Sequence, residues 1–167
     1  MKINKDIKVL LVDDEEDFVN TLSQRLKMRE LTVTTVYDGE QALARVKSEE
    51  PDVMVLDLKM PGLQGMDVLK EIRKDYPNIQ VIILTGHGTR RDEEQSRRLG
   101  GFDFLTKPTD IETLMERIGE AHADKIARMM TAIDFGGESE LDISRTIIRE
   151  TLGNNTALTI TGRSLAW

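Results

Sequence analysis

Polar residues that could bind and transfer a phosphoryl group follow four of the short apolar runs in the sequence. They are Asp13-Asp14 after the first run, Asp57 after the third, Thr85 after the fourth and Thr106-Lys107 after the fifth. Three carboxylates brought together would repel one another unless a cation joined them. Because these ligands offer only oxygen, they favour a hard ion, Mg²⁺ above all.

A hydroxyl and an amine complete a set suited to phosphoryl transfer. Lys107 would pair with the transferred group, and Thr85 could donate a hydrogen bond to one of its oxygens. A bound Mg²⁺ with open positions would hold phosphoryl oxygens and neutralise developing charge. Since no His, Ser or Cys nucleophile accompanies the set, the acceptor would be a carboxylate and the product an acyl phosphate.

The apolar runs that precede these residues are typical of strands, and helical patterns separate them. Aliphatic and β-branched residues dominate at Lys8–Val12, Thr32–Val36, Val53–Leu56, Val81–Leu84 and Phe102–Leu105. Between the runs, apolar residues recur at helical spacing, as in Phe18, Leu22 and Leu26. Asp38 precedes the second helical pattern, and Asp110 is the expected N-cap of the fifth.

Five β-then-α units in series predict an α/β fold, a doubly wound five-stranded parallel sheet with helices on both faces. In such folds ligands bind at the carboxyl ends of the strands, near the switch in strand order. Four different strands deliver the polar residues to that edge. We therefore expect the acids, the hydroxyl and the amine to form one site.

Composition disfavours several classes of protein. The chain has 167 residues, 39% of them hydrophobic, no cysteine and a formal net charge of −7. It can therefore build a core, but it offers neither disulfides nor thiolate metal sites. Its acidity disfavours nonspecific nucleic-acid binding, although a local basic patch could form from Arg90, Arg91, Arg97 and Arg98. The N-terminal stretch fits neither a signal peptide nor a membrane span, and we expect a cytoplasmic protein.

The chain resembles the receiver domains of two-component response regulators, which are chemotaxis-type, CheY-like domains of flavodoxin-like fold. The resemblance extends from about Lys5 to Ile126 and rests on four motifs in order along the chain. They are Asp13-Asp14, Asp57-Leu-Lys-Met-Pro-Gly-Leu-Gln-Gly65, Thr85-Gly86 and Phe104-Leu-Thr-Lys107-Pro108.

The resemblance implies a magnesium-dependent phosphorylation site. Asp57 would accept a phosphoryl group from a histidine kinase or a phosphotransfer protein. Asp14, Asp57 and the backbone carbonyl of Lys59 would bind Mg²⁺ directly, and Asp13 would assist through water. Lys107 and Thr85 would contact the phosphoryl oxygens.

The resemblance also implies a switch and two tuning positions. Phe104 would be the aromatic residue that turns inward when Thr85 moves toward the phosphate. Pro108 matches a proline that follows a cis Lys–Pro bond in the family. Lys59 and His87 occupy the two variable family positions that flank the phosphoryl group, and we expect them to tune the lifetime of the phosphoaspartate by controlling entry of water.

Each residue taken alone has a plainer interpretation. Asp13-Asp14 could cap the first helix, since acids suit its N-terminus. Asp57 could be a solvated loop acid, Thr85 an ordinary strand end and Phe104 ordinary packing. His122 is interpreted as a residue on the surface of the last helix, because no four-helix bundle is available to present it as a phosphotransfer histidine.

Two parts of the chain depart from the usual receiver pattern. The fourth helix, in residues 89–99, is almost without apolar residues, so we expect it to bury little area and to be the most mobile helix. It would lie beside the family's signalling surface, which suggests a partner interface, a charge-paired dimer or a merely solvated helix.

The second departure is an extension, residues 127–167, beyond a receiver domain at residues 1–126. The last helix is expected to continue through Ile133, followed by a short helix at Ser139–Leu152 and a strand at Ala157–Thr161. About thirty residues are too few for a helix-turn-helix domain, so direct DNA binding by this chain is not expected. The extension could dock on a neighbouring subunit, bind a partner or belong to a longer protein.

We therefore expect a signalling module that promotes only its own phosphorylation and dephosphorylation and acts on a downstream protein target. One alternative is a haloacid dehalogenase-type phosphatase, which would place a second Asp where Lys59 stands and would need more chain. Another is a receiver-like interaction domain that is never phosphorylated. The crowding of Asp14, Asp57 and Lys107 with Thr85 speaks against that alternative.

Overall fold

The computed structural model describes residues 6–134, which alternate between strand and helix. The elements are β1 Lys8–Val12, α1 Glu16–Lys27, β2 Thr32–Val36, α2 Gly39–Ser48, β3 Val53–Leu56, α3 Gly65–Asp75, β4 Gln80–Thr85, α4 Arg90–Arg98, β5 Asp103–Thr106 and α5 Ile111–Asp134. The chain divides into two units, Met1–Met129 and Met130–Trp167, and the second is described only where α5 ends.

The five strands form one parallel sheet in the order β2-β1-β3-β4-β5. The predicted doubly wound α/β fold is therefore confirmed. The direction of strand addition switches between β1 and β3, which is where such folds bind ligands. The first three strands have their predicted bounds, β4 is one residue longer at each end, and β5 lies one residue later than predicted.

Two hydrophobic clusters, one on each face, bury the sheet. In β1, Val9 and Leu11 belong to the cluster formed with α1 and α5, whereas Leu10 and Val12 belong to the one formed with α2 and α3. This division follows from the alternation of side chains along a strand. Because β3 and β4 are buried along their whole lengths, their carboxyl ends are firmly placed.

Polar side chains fix the beginnings of three helices. Asp38 Oδ1 accepts a hydrogen bond from the Gln41 N–H at 2.7 Å, and Asp110 Oδ1 accepts one from the Thr113 N–H at 2.8 Å. These bonds confirm the N-cap expected at Asp110 and place one at Asp38. In α4 a capping box joins Thr89 to Asp92 at the first turn.

The fourth helix buries little, as predicted. Ser96 is its one buried residue, and its hydroxyl donates to the Glu93 carbonyl at 2.9 Å. The remainder of α4 is charged or polar, with pairs such as Arg97–Glu93 at 3.0 Å on its surface. Its mobility stays a prediction.

The surface position expected for His122 is wrong, because the side chain is only 6% exposed. It lies on α5 between the buried Ala121 and Ile126, close to an ion pair in which Lys125 Nζ lies 2.6 Å from Asp52 Oδ1. The helix therefore packs against the sheet over a wider arc than one apolar stripe indicates. Burial lowers the pKa of His122 below its usual 6.5, although the charge of Asp52 opposes this.

None of the helices within residues 6–134 has the length and apolar character needed to span a membrane. The helix predicted at Ser139–Leu152 and the strand predicted at Ala157–Thr161 lie outside the described residues.

Candidate functional site

Three carboxylates meet at the carboxyl edge of the sheet. Asp13, Asp14 and Asp57 each offer an oxygen, and these oxygens lie within 4.8 Å of one another. Backbone hydrogen bonds extend the strand pairing into this edge, since the Asp13 N–H donates to Val36 O at 3.2 Å and the Asp57 N–H to Val12 O at 2.9 Å. The sheet thus brings together the acids that the sequence predicted to form one site.

Two of these acids, Asp13 and Asp57, are buried. Asp13 is 4% exposed and Asp57 is 5% exposed, while Asp14 is more exposed. Burial raises the pKa of Asp13, and the charge of Asp57 adds to this, although the hydrogen bond from Lys107 opposes both. Holding Asp13 ionised therefore costs free energy that a nearby cation would recover.

Lys107 lies at the centre of the acids. Its Nζ donates to Asp13 Oδ2 at 2.6 Å and to Glu15 Oε1 at 3.1 Å. The same atom lies 3.9 Å from Asp57 Oδ2 and 4.3 Å from the centre of the Phe18 ring. Burial lowers the pKa of Lys107, but the hydrogen bonds to Asp13 and Glu15 outweigh this and raise it. The raised pKa keeps the Lys107 side chain in its charged ammonium form.

The loop after β3 holds the Asp57 carboxylate in one orientation. Asp57 Oδ1 accepts a hydrogen bond from the Leu58 N–H at 2.8 Å. Farther along, Gly65 packs so closely that an added Cβ would collide with the Asp57 carbonyl oxygen, and its N–H donates to Leu58 O at 2.9 Å. The glycine that ends the Asp57 motif is therefore required by close backbone packing.

Thr85 and Phe104 lie near each other beside the acids. Thr85 is fully buried at the end of β4, and its Oγ1 accepts a weak hydrogen bond from the His87 N–H at 3.4 Å. A Cβ placed on Gly88 would lie 2.5 Å from the tip of the Phe104 ring and 2.8 Å from the Thr85 methyl group. The Phe104 ring and the Thr85 methyl group thus both lie against Gly88, in space that a Cβ would occupy.

Lys59 and His87 are exposed at the rim of the site. Their role as tuning residues stays a prediction. The role of the Lys59 carbonyl as a metal ligand also stays a prediction. The Lys107-Pro108 peptide bond is cis, as the family resemblance implied.

Sequence reasoning missed two partners of Lys107, namely Glu15 and Phe18. A signal was present, because Glu15 directly follows the acidic pair and Phe18 lies on the first turn of α1. Their convergence on Lys107 depends on how α1 leaves the end of β1.

The donor set fits a hard divalent cation. Asp13, Asp14 and Asp57 supply carboxylate oxygens alone, which suit Mg²⁺ better than softer metals. Burial raises the pKa of Asp13 even though Lys107 donates a hydrogen bond to it, so this carboxylate would gain from a further cation nearby. These three residues are therefore the candidate metal site.

Comparison with known proteins agrees with the family resemblance seen in the sequence. A family model described as the response regulator receiver domain matches residues 9–119. The probable transcriptional regulatory protein TcrX of Mycobacterium tuberculosis is 36% identical over 112 residues, which are 67% of this chain and 48% of TcrX. The chain thus spans about half the length of this curated relative.

Solved structures agree with the fold. A receiver domain protein from Clostridium thermocellum is 34% identical, with a TM-score of 0.68, over 71% of this chain and 96% of that chain. A CheY-like receiver domain protein from Methanospirillum hungatei has a TM-score of 0.71 over 73% of this chain and 98% of that one. At 23% identity the latter likeness concerns the fold alone.

Proposed function

Because the chain belongs to the response regulator receiver domain family, we propose that it is switched by phosphorylation of Asp57. The observation that carries this proposal is the buried Asp57 carboxylate, which lies among two further acids with Lys107 Nζ 3.9 Å away. Its Oδ1 is occupied by the Leu58 N–H, so Oδ2 is the oxygen assigned to the attack.

The proposed reaction is transfer from a phosphohistidine. An Asp57 oxygen attacks the phosphorus, an O–P bond forms and the P–N bond breaks, with its electron pair returning to the ring nitrogen. The histidine leaves as neutral imidazole because its other ring nitrogen carries a proton. Dephosphorylation is a separate hydrolysis in which water attacks the phosphorus and the bond between phosphorus and the Asp57 oxygen breaks. The carboxylate is restored, and inorganic phosphate leaves with the oxygen of the water, whose released proton passes to phosphate or solvent.

The surrounding residues supply charge and orientation. Asp14, Asp57 and the Lys59 carbonyl would hold Mg²⁺ directly, and Asp13 would assist through water. The ion would supply positive charge that neutralises the phosphoryl oxygens. Lys107 pairs with the phosphoryl group, and the Thr85 hydroxyl donates to it. Movement of Thr85 would then leave space that the Phe104 ring enters, which changes the surface formed by α4 and β5.

The proposed partners follow from this switch. The phosphoryl group comes from a histidine kinase or a phosphotransfer protein in the cytoplasm, and the altered surface is recognised by a downstream protein or by a second copy of the chain. The chain promotes only its own phosphorylation and dephosphorylation. We expect no direct DNA binding from this chain, whose net charge is −7.

The phosphatase alternative has less support. A haloacid dehalogenase-type enzyme places a second acid two residues after its nucleophile, where this chain has the exposed Lys59. The chain therefore lacks the second carboxylate that performs the general acid–base step in such an enzyme.

Incubation with acetyl phosphate and Mg²⁺, read by intact-protein mass, tests the proposal. The wild type should gain one phosphoryl group, and Asp57→Asn should gain none. Asp67→Asn is the matched control, because it removes an exposed carboxylate on α3 and should behave as wild type. Equal uptake by Asp57→Asn would overturn the assignment, and no uptake by the wild type would favour the unphosphorylated interaction domain. Size exclusion of the same samples shows whether the switch changes the oligomer.

A further inference from the structure

The resting position of Lys107 is defined by three side chains of the β1–α1 region. Two carboxylates, Asp13 and Glu15, accept its hydrogen bonds at 2.6 and 3.1 Å. The Phe18 ring lies beneath the ammonium at 4.3 Å, a distance at which the ring face attracts a cation. Asp57 Oδ2, at 3.9 Å, is beyond hydrogen-bonding distance.

The two carboxylates hold the lysine unequally. The Asp13 side chain is 6% exposed and makes the shorter bond, whereas the Glu15 side chain is 61% exposed and makes the longer one. An exposed ion pair is the weaker of the two because water screens it. The bond to Glu15 is therefore the one that Lys107 exchanges most readily for another anion.

We propose that Glu15 is a positioning residue that holds Lys107 in its resting place and competes with the incoming phosphoryl group for the ammonium. The inference rests on the proposed phosphorylation of Asp57. A phosphoryl group on Asp57 brings new anionic oxygens toward Lys107, which turns from Glu15 to meet them. The backbone of Lys107 is held in the sheet, because its N–H donates to Thr85 O at 2.9 Å. The flexible side chain carries the ammonium, which is the part that moves.

Competition between Glu15 and the phosphoryl group for Lys107 predicts the direction in which the phosphorylation rate changes. Removing the Glu15 charge weakens a bond that phosphorylation must break and also weakens the negative field that a phosphoryl donor meets. Glu15→Gln should therefore accept phosphoryl groups faster than wild type. The effect on the bond requires contact with Lys107, whereas the effect on the negative field does not. A control variant must therefore weaken the field and leave the bonds of Lys107 intact.

The neighbouring Glu16 provides that control, since it is an exposed acid one residue along in the first turn of α1. With phosphoramidate as donor, Asp57 attacks the phosphorus, the P–N bond breaks and ammonia leaves. The second-order rate for Glu15→Gln should exceed that for Glu16→Gln about two- to fivefold, the range expected for loss of an exposed ion pair. Equal rates for the two variants would overturn the inference while leaving phosphorylation of Asp57 intact.

A second readout needs neither metal nor phosphoryl donor. The ε-methylene protons of Lys107 lie near the Phe18 ring and should have ring-shifted NMR resonances in metal-free protein. Glu15→Gln should move those resonances, because a neutral amide oxygen replaces one of the two charged acceptors of the ammonium, and Glu16→Gln should not. Unchanged resonances in Glu15→Gln would contradict the positioning role. A wild type that takes up no phosphoryl group would overturn the proposed function and this inference with it.

Discussion

Gly88 admits the Phe104 ring beside the Thr85 methyl group because it has no Cβ. Gly88→Ala should therefore displace the ring and reduce the free energy of unfolding by about 1–3 kcal/mol, the usual cost of overpacking. Gly86→Ala is the control, since its Cβ would make only ordinary contacts with Lys107, at 3.8 and 3.9 Å. Urea unfolding measures both. Equal losses in the two variants would show that the space at Gly88 is not special.

The exposed side chains of Lys59 and His87 are expected to shield the acyl phosphate from water. Lys59→Asn and His87→Ala should each speed the loss of the phosphoryl group about two- to tenfold, because a smaller side chain opens a path for the attacking water. The measurement is decay of the phosphorylated protein after the donor is removed. Lys47→Asn, an exposed change on α2, should decay at the wild-type rate. Unchanged rates in both site variants would refute the tuning role.

At the scale of the elements, α4 depends on its cap more than the other helices do. It buries only Ser96, whereas α2 buries Ala42 and Val46 against the sheet. Thr89→Ala removes the capping box, which is worth about 1 kcal/mol. Amide hydrogen exchange should then accelerate throughout α4 with little change in global stability.

The same experiment on α2 is the control for α4. Asp38→Ala removes an N-cap whose bond to Gln41 N–H is 2.7 Å, yet packing should keep the rest of α2 protected. If α2 opened as widely as α4, the small buried face of α4 would not explain its behaviour.

The sequence predicted most elements closely, because fully buried strands must be apolar along their length. The run Val53–Leu56 is bounded by Pro51 and Asp57 and matches β3. The strand predicted at Phe102–Leu105 begins and ends one residue earlier than β5. The reason is that β5 is only partly buried, and Phe102 is as apolar as a strand residue. Periodicity marks buried residues well and the ends of half-buried strands poorly.

The composition of the site was also predictable, but its internal contacts were not. Parallel strands bring their carboxyl ends to one edge, so Asp13, Asp57 and Lys107 were expected together. The pairing of Lys107 with Glu15 depends on the direction in which α1 begins, which no local pattern encodes. The burial of His122 likewise depends on how α5 lies over the sheet.

At the scale of the whole molecule, His122 links stability to pH. Burial lowers the pKa of His122 in the folded protein below 6.5, so the unfolded chain binds its proton more readily. The stability is therefore fully present above a pH of about 6.5 and is lost as the pH falls toward the lowered folded value. Between pH of about 7.5 and 5, wild type should lose more unfolding free energy than His122→Gln. Parallel curves would contradict this linkage.

Magnesium should stabilise the folded molecule as a whole, because its proposed ligands converge only in the fold. Once Mg²⁺ exceeds its dissociation constant, each tenfold increase should add about 1.4 kcal/mol to the free energy of unfolding. Asp14→Asn should move the onset of this stabilisation to higher Mg²⁺ concentration, whereas Asp17→Asn, an exposed change in the first turn of α1, should leave the onset unchanged. Stabilisation of Asp14→Asn that begins at the same Mg²⁺ concentration as in the wild type would exclude that carboxylate as a ligand.

The chemical nature and position of the phosphorylated group give the most direct test of the proposed switch. Borohydride reduces an acyl phosphate to an alcohol, which converts a phosphorylated aspartate to homoserine. After treatment with acetyl phosphate and Mg²⁺, reduction and peptide mass spectrometry should find homoserine at position 57 and aspartate unchanged at positions 13 and 14. Homoserine at either of the latter positions, or at none while the phosphoryl mass is present, would contradict phosphorylation of Asp57.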